Sequence, residues 1–207
     1  MNILIDTLPY EVEVSGQMYE ICADFRTSIL FETMIQDTTL SDVEKTVYAL
    51  QLYYPVIPDD YNGAVKKLLW FYNLGKEKKP KANGEGQEDN EEEQEEAPRK
   101  QIYSFEYDAE YIYAAFLTQY GVDLVEEDDL HWWKFRAMFR GLEESREFVK
   151  IMGYRGAKID GKMSKEQRKF YREMQRIHAL PLPEGEQERQ DAITQALMNG
   201  GDLTGLL

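Results

Sequence analysis

The chain has 207 residues and a formal net charge of −15, and this length is sufficient to bury a hydrophobic core without disulfides or metal ions. It contains a single cysteine, Cys22, so an intrachain disulfide framework is excluded. The first residues lack a basic leader with an apolar signal core, and the densest apolar cluster, Leu68 to Tyr72, is too short to span a bilayer. We therefore expect a soluble, intracellular protein with no membrane partner.

Charge is distributed unevenly along the chain. Residues 1–75 carry 4 basic and 11 acidic side chains, and residues 101–130 carry 8 acidic and no basic ones. Residues 131–178 reverse the balance, with 13 basic against 6 acidic side chains. A basic block therefore lies inside an acidic chain, and an aromatic content of 13% argues against a chain that is disordered throughout.

The first segment with regular patterning predicts a β-hairpin followed by a helix. Residues 10–14 and 18–21 alternate apolar and polar side chains on either side of Ser15 and Gly16, which favour a tight turn. Asp24 then predicts the start of a helix that runs to about residue 37. Its apolar side chains recur at helical spacing: Phe25, Ile29, Leu30, Thr33 and Met34.

Two more helices are predicted before residue 76. Ser41 and Glu44 form a capping box for the first of them, which Pro55 ends. The second is expected to begin after Asp59 or Asp60 and to end near Gly75. The predicted buried stripes are Val43, Val47, Leu50 and Tyr54 in the first of these helices, and Val65, Leu68, Leu69 and Tyr72 in the second.

Residues 76–101 separate two patterned regions. No large apolar residue occurs between Gly75 and Ile102, so no burial offsets the entropy of ordering this segment. We predict a flexible acidic linker, and its role as a solvated spacer or as an acidic interaction tail stays open. It follows an N-terminal region of hairpin plus helices, residues 1–75, and precedes a C-terminal helical region with a basic face, residues 102–181.

The C-terminal region reads mainly as helices. Ile102 to Phe105 predicts a short strand, and Asp108 and Gly121 bound the first helix. Further helices are predicted from Leu130 to about Gly141, from Glu143 to Met152 with Gly153 as the stop, and after the capping residue Ser164. Residues 182–207 are expected to form an amphipathic helix and a C-terminal tail. The predicted fold class is mainly α with a small N-terminal β-hairpin and a disordered acidic linker.

No pattern in the sequence predicts an enzyme, a metal site or a cofactor. Two histidines and one cysteine cannot supply a recognisable zinc set. The stretch GAKIDGKM at residues 156–163 departs from a phosphate loop at Met163 and follows a helical pattern, so a basic loop between helices is favoured. Cys22 lies near Glu20 and Asp24, whose charges raise the pKa of a thiol.

Binding is the remaining class of function, and the basic block supplies its candidate residues. The aromatic cluster within the block is expected to form either the core or an oligomer contact, and exposed lysines are expected to contact an acidic surface. A nucleic acid bound by the basic face of residues 131–178 is the alternative. Internal pairing with residues 101–130, or with an acidic neighbour, also stays open. The candidate partner-binding residues are Trp132, Trp133, Phe135, Arg136, Phe139, Lys165 and Lys169.

Several short stretches resemble one family of small bacteriophage proteins. They are YDAEYIYAAF at residues 107–116, LHWWKFR at 130–136, FVKIMGYR at 148–155 and QRKFYR at 167–172. Earlier stretches, DFR at 24–26, FE at 31–32, YPVIP at 54–58 and LWFY at 69–72, resemble the same family. Members are encoded near the tape measure gene in the tail modules of siphophages and prophages of Gram-positive bacteria, and they are regarded as tail assembly chaperones.

The resemblance implies a noncatalytic factor that keeps the long helical tape measure protein soluble until the tail tube polymerises around it. The implied partners are the tape measure protein and other phage tail proteins, with self-association or a companion chaperone. The implied location is the host bacterial cytoplasm. The resemblance transfers no catalytic motif.

Overall fold

The computed structural model describes residues 2–76 and 101–181 of the chain. These residues form two strands and seven helices, which confirms the predicted mainly α fold with an N-terminal hairpin. The elements in chain order are β1 (Glu11–Val14), β2 (Gln17–Glu20), α1 (Phe25–Gln36), α2 (Asp42–Tyr53), α3 (Tyr61–Tyr72), α4 (Ala109–Tyr120), α5 (Trp132–Arg140), α6 (Glu147–Gly156) and α7 (Lys165–Ile177).

The hairpin forms where the alternating pattern predicts it. β1 and β2 pair antiparallel, with Val14 opposite Gln17 at the turn. Ser15 and Gly16 both have positive φ, 51° and 81°, as a two-residue hairpin turn that matches the strand twist requires. Val12 and Val14 of β1 are buried, so one face of the hairpin covers the core.

The predicted capping residues begin the three helices of the N-terminal region. Asp24 accepts a hydrogen bond from the Arg26 N–H at the start of α1. Ser41 and Glu44 form the reciprocal capping box of α2, and Asp60 accepts from the backbone of α3. Local chemistry therefore determines where these helices start.

The buried faces of these helices match the predicted stripes only in part. Leu50, Tyr54 and Leu68 are buried as predicted, whereas Val43, Val47 and Leu69 are exposed. The described core takes other residues: Ser28 and Phe31 of α1, Ala49 and Tyr53 of α2, and Ala64 and Phe71 of α3. Which edge of a helix is buried depends on where its neighbours lie, and helical spacing alone does not specify that.

Two predictions for the C-terminal region are wrong. Residues 102–105 form no strand; they lead into α4, whose start at Asp108 and end at the left-handed Gly121 are confirmed. Helix α6 begins at Glu147, because a turn over residues 143–146 precedes it. It continues through Gly153 to Gly156, because Arg155, beyond the glycine, is anchored by a buried ion pair. Gly153 lies against open space and does not end the helix.

The hydrophobic core is shared by the described residues before and after the predicted linker. Phe135 of α5 lies at its centre, stacked on Phe25 of α1 and on Phe116 of α4 at ring-centroid distances of 4.9 Å each. The Phe25 N–H also donates to the Leu130 carbonyl, and the Trp132 N–H donates to the Ala23 carbonyl. The residues on either side of the predicted linker thus stabilise each other through one core.

Two of the predicted segments cannot be compared with the structure. One lies outside the described residues at 77–100 and makes up nearly all of the predicted linker at 76–101. The other lies outside them at 182–207 and was predicted as an amphipathic helix and tail. No helix within residues 2–76 and 101–181 is long and apolar enough to cross a membrane.

Candidate partner-binding surface

The two adjacent tryptophans of the predicted site lie in the core. The Trp132 indole Nε1 donates to the Tyr72 carbonyl at 3.0 Å, and the Trp133 Nε1 donates to the Phe71 carbonyl at 2.8 Å. These carbonyls belong to the last turn of α3, where the i to i+4 bonding of the helix ends; the Phe71 carbonyl also accepts from the Leu74 N–H. Both indoles are buried, so of the two roles predicted for them the structure shows the core role.

Phe135 and Phe139 lie within the same core, and Arg136 lies beside it. Phe135 and Phe139 are buried, and the Arg136 guanidinium lies 5.2 Å from the Trp132 ring and 5.6 Å from the Phe139 ring. The Arg136 Nη1 also donates to the Tyr103 hydroxyl at 3.2 Å. Five of the seven predicted site residues therefore pack together in or beside the core.

A partly buried polar cluster lies beside Arg136, and the sequence patterns did not predict it. The Tyr72 hydroxyl donates to Glu32 Oε2 at 2.5 Å. Burial, reinforced by the Glu32 charge, raises the pKa of Tyr72 and of Tyr103, so both hydroxyls stay protonated. The cluster joins α1, α3, α5 and the segment before α4, and no local spacing indicates a contact among residues this far apart in sequence.

Lys165 and Lys169 lie on α7, the most peripheral of the described helices. Ser164 and Gln167 form a capping box at its start. It has no buried residue and packs against α6, where the Gln175 Nε2 donates to the carbonyls of Tyr154 and Ala157 at 3.0 and 2.8 Å. Among the residues that the structure describes, α6 therefore holds α7 by one side.

The remaining surface of α7 combines apolar and basic side chains. Phe170 and Ile177 are 48% and 54% exposed, and they lie seven residues apart, which places them on one face two turns from each other. Basic side chains line an adjoining open cleft of about 440 Å³: Lys165, Arg168, Lys169, Arg172 and Arg176, together with Glu173. We define this exposed side of α7 as the α7 surface.

Most of the basic side chains on this surface have no acidic partner among the described residues. The ion pairs of the basic block are Arg146–Glu143, Lys150–Glu147, Arg155–Asp108 and Arg176–Glu173. Within the described ranges, Arg155 is the one member of the block that forms an ion pair with an acidic side chain of residues 101–130. Internal charge pairing thus accounts for Arg155 but not for Lys165, Arg168, Lys169 and Arg172.

Two other sequence predictions concern reactive groups. Burial raises the pKa of the Cys22 thiol, and the Glu20 and Asp24 charges raise it further, which confirms the predicted environment. Residues 157–163 connect α6 to α7, so the stretch that resembles a phosphate loop is preceded by a helix, as predicted. Within residues 2–76 and 101–181, no three His, Cys, Asp or Glu side chains are grouped in a way that could hold a metal ion.

Comparisons with known proteins identify a family without supplying a characterised relative. No curated protein matches the chain, and no solved structure matches it. The family model described as "Bacteriophage Gp15 protein" matches residues 4–180, a span that contains every described element from β1 to α7. The chain belongs to this bacteriophage protein family.

Proposed function

We propose that the protein is a noncatalytic phage tail assembly chaperone that binds the tape measure protein and keeps it soluble in the host cytoplasm while the tail tube assembles. Membership of a bacteriophage protein family supports the setting, and the resemblance to tail-module proteins supports the role. The structural observation that carries the proposal is the α7 surface, which is amphipathic and which no other described residue covers, although the rest of the described fold has a packed core.

An uncovered amphipathic helix suits a reversible binder of other helices. Binding a second helix along Phe170 and Ile177 removes their apolar area from water, at about 25 cal/mol per Å². The net charge of −15 favours solubility of a complex that would otherwise carry exposed apolar helices. Other tail proteins, a second copy of the chain and a companion chaperone are further partners under this proposal.

Coexpression with the tape measure protein tests the proposal. We expect the tape measure protein to stay soluble and to copurify with this chain, and to precipitate when expressed alone. The double variant Lys165→Glu, Lys169→Glu should weaken copurification, because it reverses charge on the α7 surface. The matched control is Lys66→Glu, Lys67→Glu, which makes the same charge change on exposed residues of α3. If the tape measure protein is insoluble with the unaltered chain, the proposal is wrong.

A nucleic-acid-binding phage regulator is the second candidate, and the clustered Arg and Lys side chains of the α7 cleft favour it. Phosphate binding releases counterions, so the affinity should fall steeply between about 50 mM and about 200 mM salt. Filter binding with double-stranded and single-stranded DNA and RNA at both salt concentrations separates the candidates. A nucleic-acid regulator should bind through α7, so Lys165→Glu, Lys169→Glu should abolish nucleic-acid binding and Lys66→Glu, Lys67→Glu should preserve it. Under the chaperone proposal we expect no nucleic-acid binding with this pattern.

A further inference from the structure

We propose that the free edge of β2 binds an extended cationic segment of a partner, which adds to the hairpin as a third, antiparallel strand. This edge is separate from the α7 surface, and the proposal goes beyond the proposed function because it names a second binding mode and the chemistry of its ligand. It follows from the direction of the backbone groups of β2, the charges on the outer face of the hairpin, and the ligands that these two features exclude.

The backbone of β2 has an edge that no described strand occupies. The Ile21 N–H donates to the Tyr10 carbonyl at 2.9 Å, so these two residues form a hydrogen-bonded pair just beyond the ends of the strands. Bonded and non-bonded pairs alternate in an antiparallel ladder, and the register then directs the N–H and C=O groups of Met18 and Glu20 away from β1. The described sheet has two strands, and no group of residues 2–76 and 101–181 hydrogen-bonds these backbone groups.

The two strands of the hairpin differ in how open they are. β1 packs on α3, and at the turn the Ser15 hydroxyl donates to Asp60 Oδ2 at 2.7 Å. In β2 every residue except the half-buried Tyr19 is exposed, and the Met18 side chain is 56% exposed. A further strand can therefore pair with β2 at the edge that the described residues leave open.

The outer face of the hairpin is acidic. Glu11 and Glu13 of β1 are exposed and alternate with buried valines. The register places Glu20 directly opposite Glu11, and Met18 opposite Glu13, on this same face. Like charges that are directly opposed destabilise a strand pair, and none of the three carboxylates forms an ion pair with a described residue. A cation beside Glu20 would offset this repulsion.

These features specify a strand in which cationic and β-branched residues alternate. Antiparallel pairing places the bonded residues of the new strand directly opposite Met18 and Glu20, with their side chains on the acidic face. A lysine opposite Glu20 meets its carboxylate, and a lysine opposite Met18 packs its methylene stem on the Met18 side chain. The residue between them points to the inner face, where a valine would cover the half-buried Tyr19.

Other classes of ligand do not fit both features of this edge. A helix bonds its own N–H and C=O groups internally, so it would leave the backbone groups of β2 unpaired. A nucleic acid or an acidic strand would bring negative charge to the face that carries Glu11, Glu13 and Glu20. A second copy that paired through its own β2 would place another Glu20 beside this face, a device by which charged edges resist self-pairing. An extended cationic segment both bonds the edge and neutralises the face.

Labelled peptides of about seven residues test the proposal with the full-length chain. Fluorescence anisotropy should show binding of a peptide that alternates lysine and valine, and at least about tenfold weaker binding when glutamate replaces lysine. Methylating the backbone nitrogens of the lysines removes the donors that face β2 and should weaken binding about tenfold or more. Methylating those of the valines, which face away, should not. The two methylated peptides carry the same charge, so equal affinities would overturn the proposal, as would no binding of the unmodified lysine peptide.

Variants of the chain locate the bound strand. Met18→Pro removes an N–H that faces away from β1 and should weaken the lysine peptide about tenfold or more, whereas Met18→Val keeps this N–H and should not. Glu20→Lys should also weaken it, and the matched control is Glu144→Lys, the same charge change at an exposed residue before α6. Circular dichroism shows whether Met18→Pro is folded; if it is not, the methylated peptides decide, because they leave the chain unaltered. Binding that Glu20→Lys and Glu144→Lys weaken equally would contradict the proposal.

Other occupants of the edge have distinct signatures. If Lys78→Glu, Lys79→Glu raises the affinity for the lysine peptide more than Lys66→Glu, Lys67→Glu does, the chain's own basic residues cover the edge and the proposal is wrong. Light scattering tests for a second copy. A dimer that Met18→Pro converts to monomer and Met18→Val preserves would show that a second copy occupies the edge, and the proposal would again be wrong.

Discussion

Arg155 of α6 holds Asp108, the residue that precedes α4, in a buried bidentate ion pair. Arg155 Nη1 lies 2.6 Å from Asp108 Oδ2, and Nη2 lies 2.9 Å from Oδ1. Asp108 starts α4 without a side-chain capping bond; its carboxylate accepts from the Ser104 N–H and from Arg155 instead. Arg155 also donates to the carbonyls of Ile102 and His178. One guanidinium thus joins the segment after residue 101, α4, α6 and the end of α7.

Removing Arg155 should strongly destabilise the fold. Arg155→Ala leaves the Asp108 carboxylate buried without its counterion, which typically costs about 3–5 kcal/mol in the free energy of unfolding. Urea denaturation followed by circular dichroism measures this loss. Arg176→Ala is the control, because it removes an ion pair whose two members are largely exposed and should leave the midpoint nearly unchanged. Similar effects of the two variants would show that the buried pair contributes little.

The indole N–H groups of α5 should contribute to stability separately from their rings. Trp132→Phe and Trp133→Phe keep an aromatic ring but remove the donor to the last carbonyls of α3, and each should cost about 1–3 kcal/mol in the free energy of unfolding. The control is Trp70→Phe, since Trp70 contacts Trp133 edge-on and its Nε1 makes no hydrogen bond within the described residues. Equal losses at all three positions would indicate that lost ring volume, and not the hydrogen bond, is responsible.

His131 makes the fold less stable at mildly acidic pH. It is fully buried; its Nδ1 accepts from the Trp133 N–H at 3.0 Å, and its Nε2 lies 3.0 Å from the Pro9 carbonyl. The neutral ring, with its proton on Nε2, satisfies both contacts. Burial lowers the pKa of His131 below its ordinary 6.5, aided by Lys134, while the Pro9 carbonyl and Asp129 oppose the shift.

The direction of the pH effect follows from that shift. Well above about pH 6.5 His131 is neutral in the folded and the unfolded chain, so its protonation does not lower the free energy of unfolding. Below it the unfolded chain takes up the proton first, so the free energy of unfolding falls as the pH drops towards the folded-state pKa. Urea midpoints at about pH 7.5 and about pH 5.5 measure this fall. His131→Asn retains a capping oxygen but does not titrate, so it should reduce the difference; an unchanged difference would assign the effect to other groups.

How far the sequence predicts this fold depends on the range of the interaction. The hairpin turn at Ser15 and Gly16 and the capping box at Ser41 involve neighbouring residues, and they were predicted correctly. The end of α6 was not, because Arg155 is held by Asp108, 47 residues away, and Gly153 alone indicated a stop. The exposed Val43 similarly reflects the positions of α1 and α3, which helical periodicity does not reveal.

The candidate site shows the same division. The exposure of Lys165 and Lys169 follows from a capped, strongly charged helix, and charge patterning indicated it. The sequence left open whether Trp132 and Trp133 lie in the core or at an oligomer contact. Their partners decide this, and these are the carbonyls of Tyr72 and Phe71, some 60 residues earlier. The shape of the α7 surface likewise depends on α6 covering one side of it, a tertiary contact with no local signature.

The shared core predicts that the chain will fold when it is divided within the predicted linker. Residues 1–76 and 101–207, coexpressed as separate chains, should copurify in a one-to-one complex, because Phe25 and Phe135 stack across the division and the α5 indoles bond α3. Phe135→Ala in the second fragment should abolish the complex, since deleting a buried aromatic side chain costs about 3–5 kcal/mol. Phe170→Ala should leave it intact, because the aromatic partners of Phe170 among the described residues are Tyr154 of α6 and Tyr171 of α7. Size-exclusion chromatography with light scattering gives the stoichiometry, and two fragments that fold and elute separately would contradict a common core.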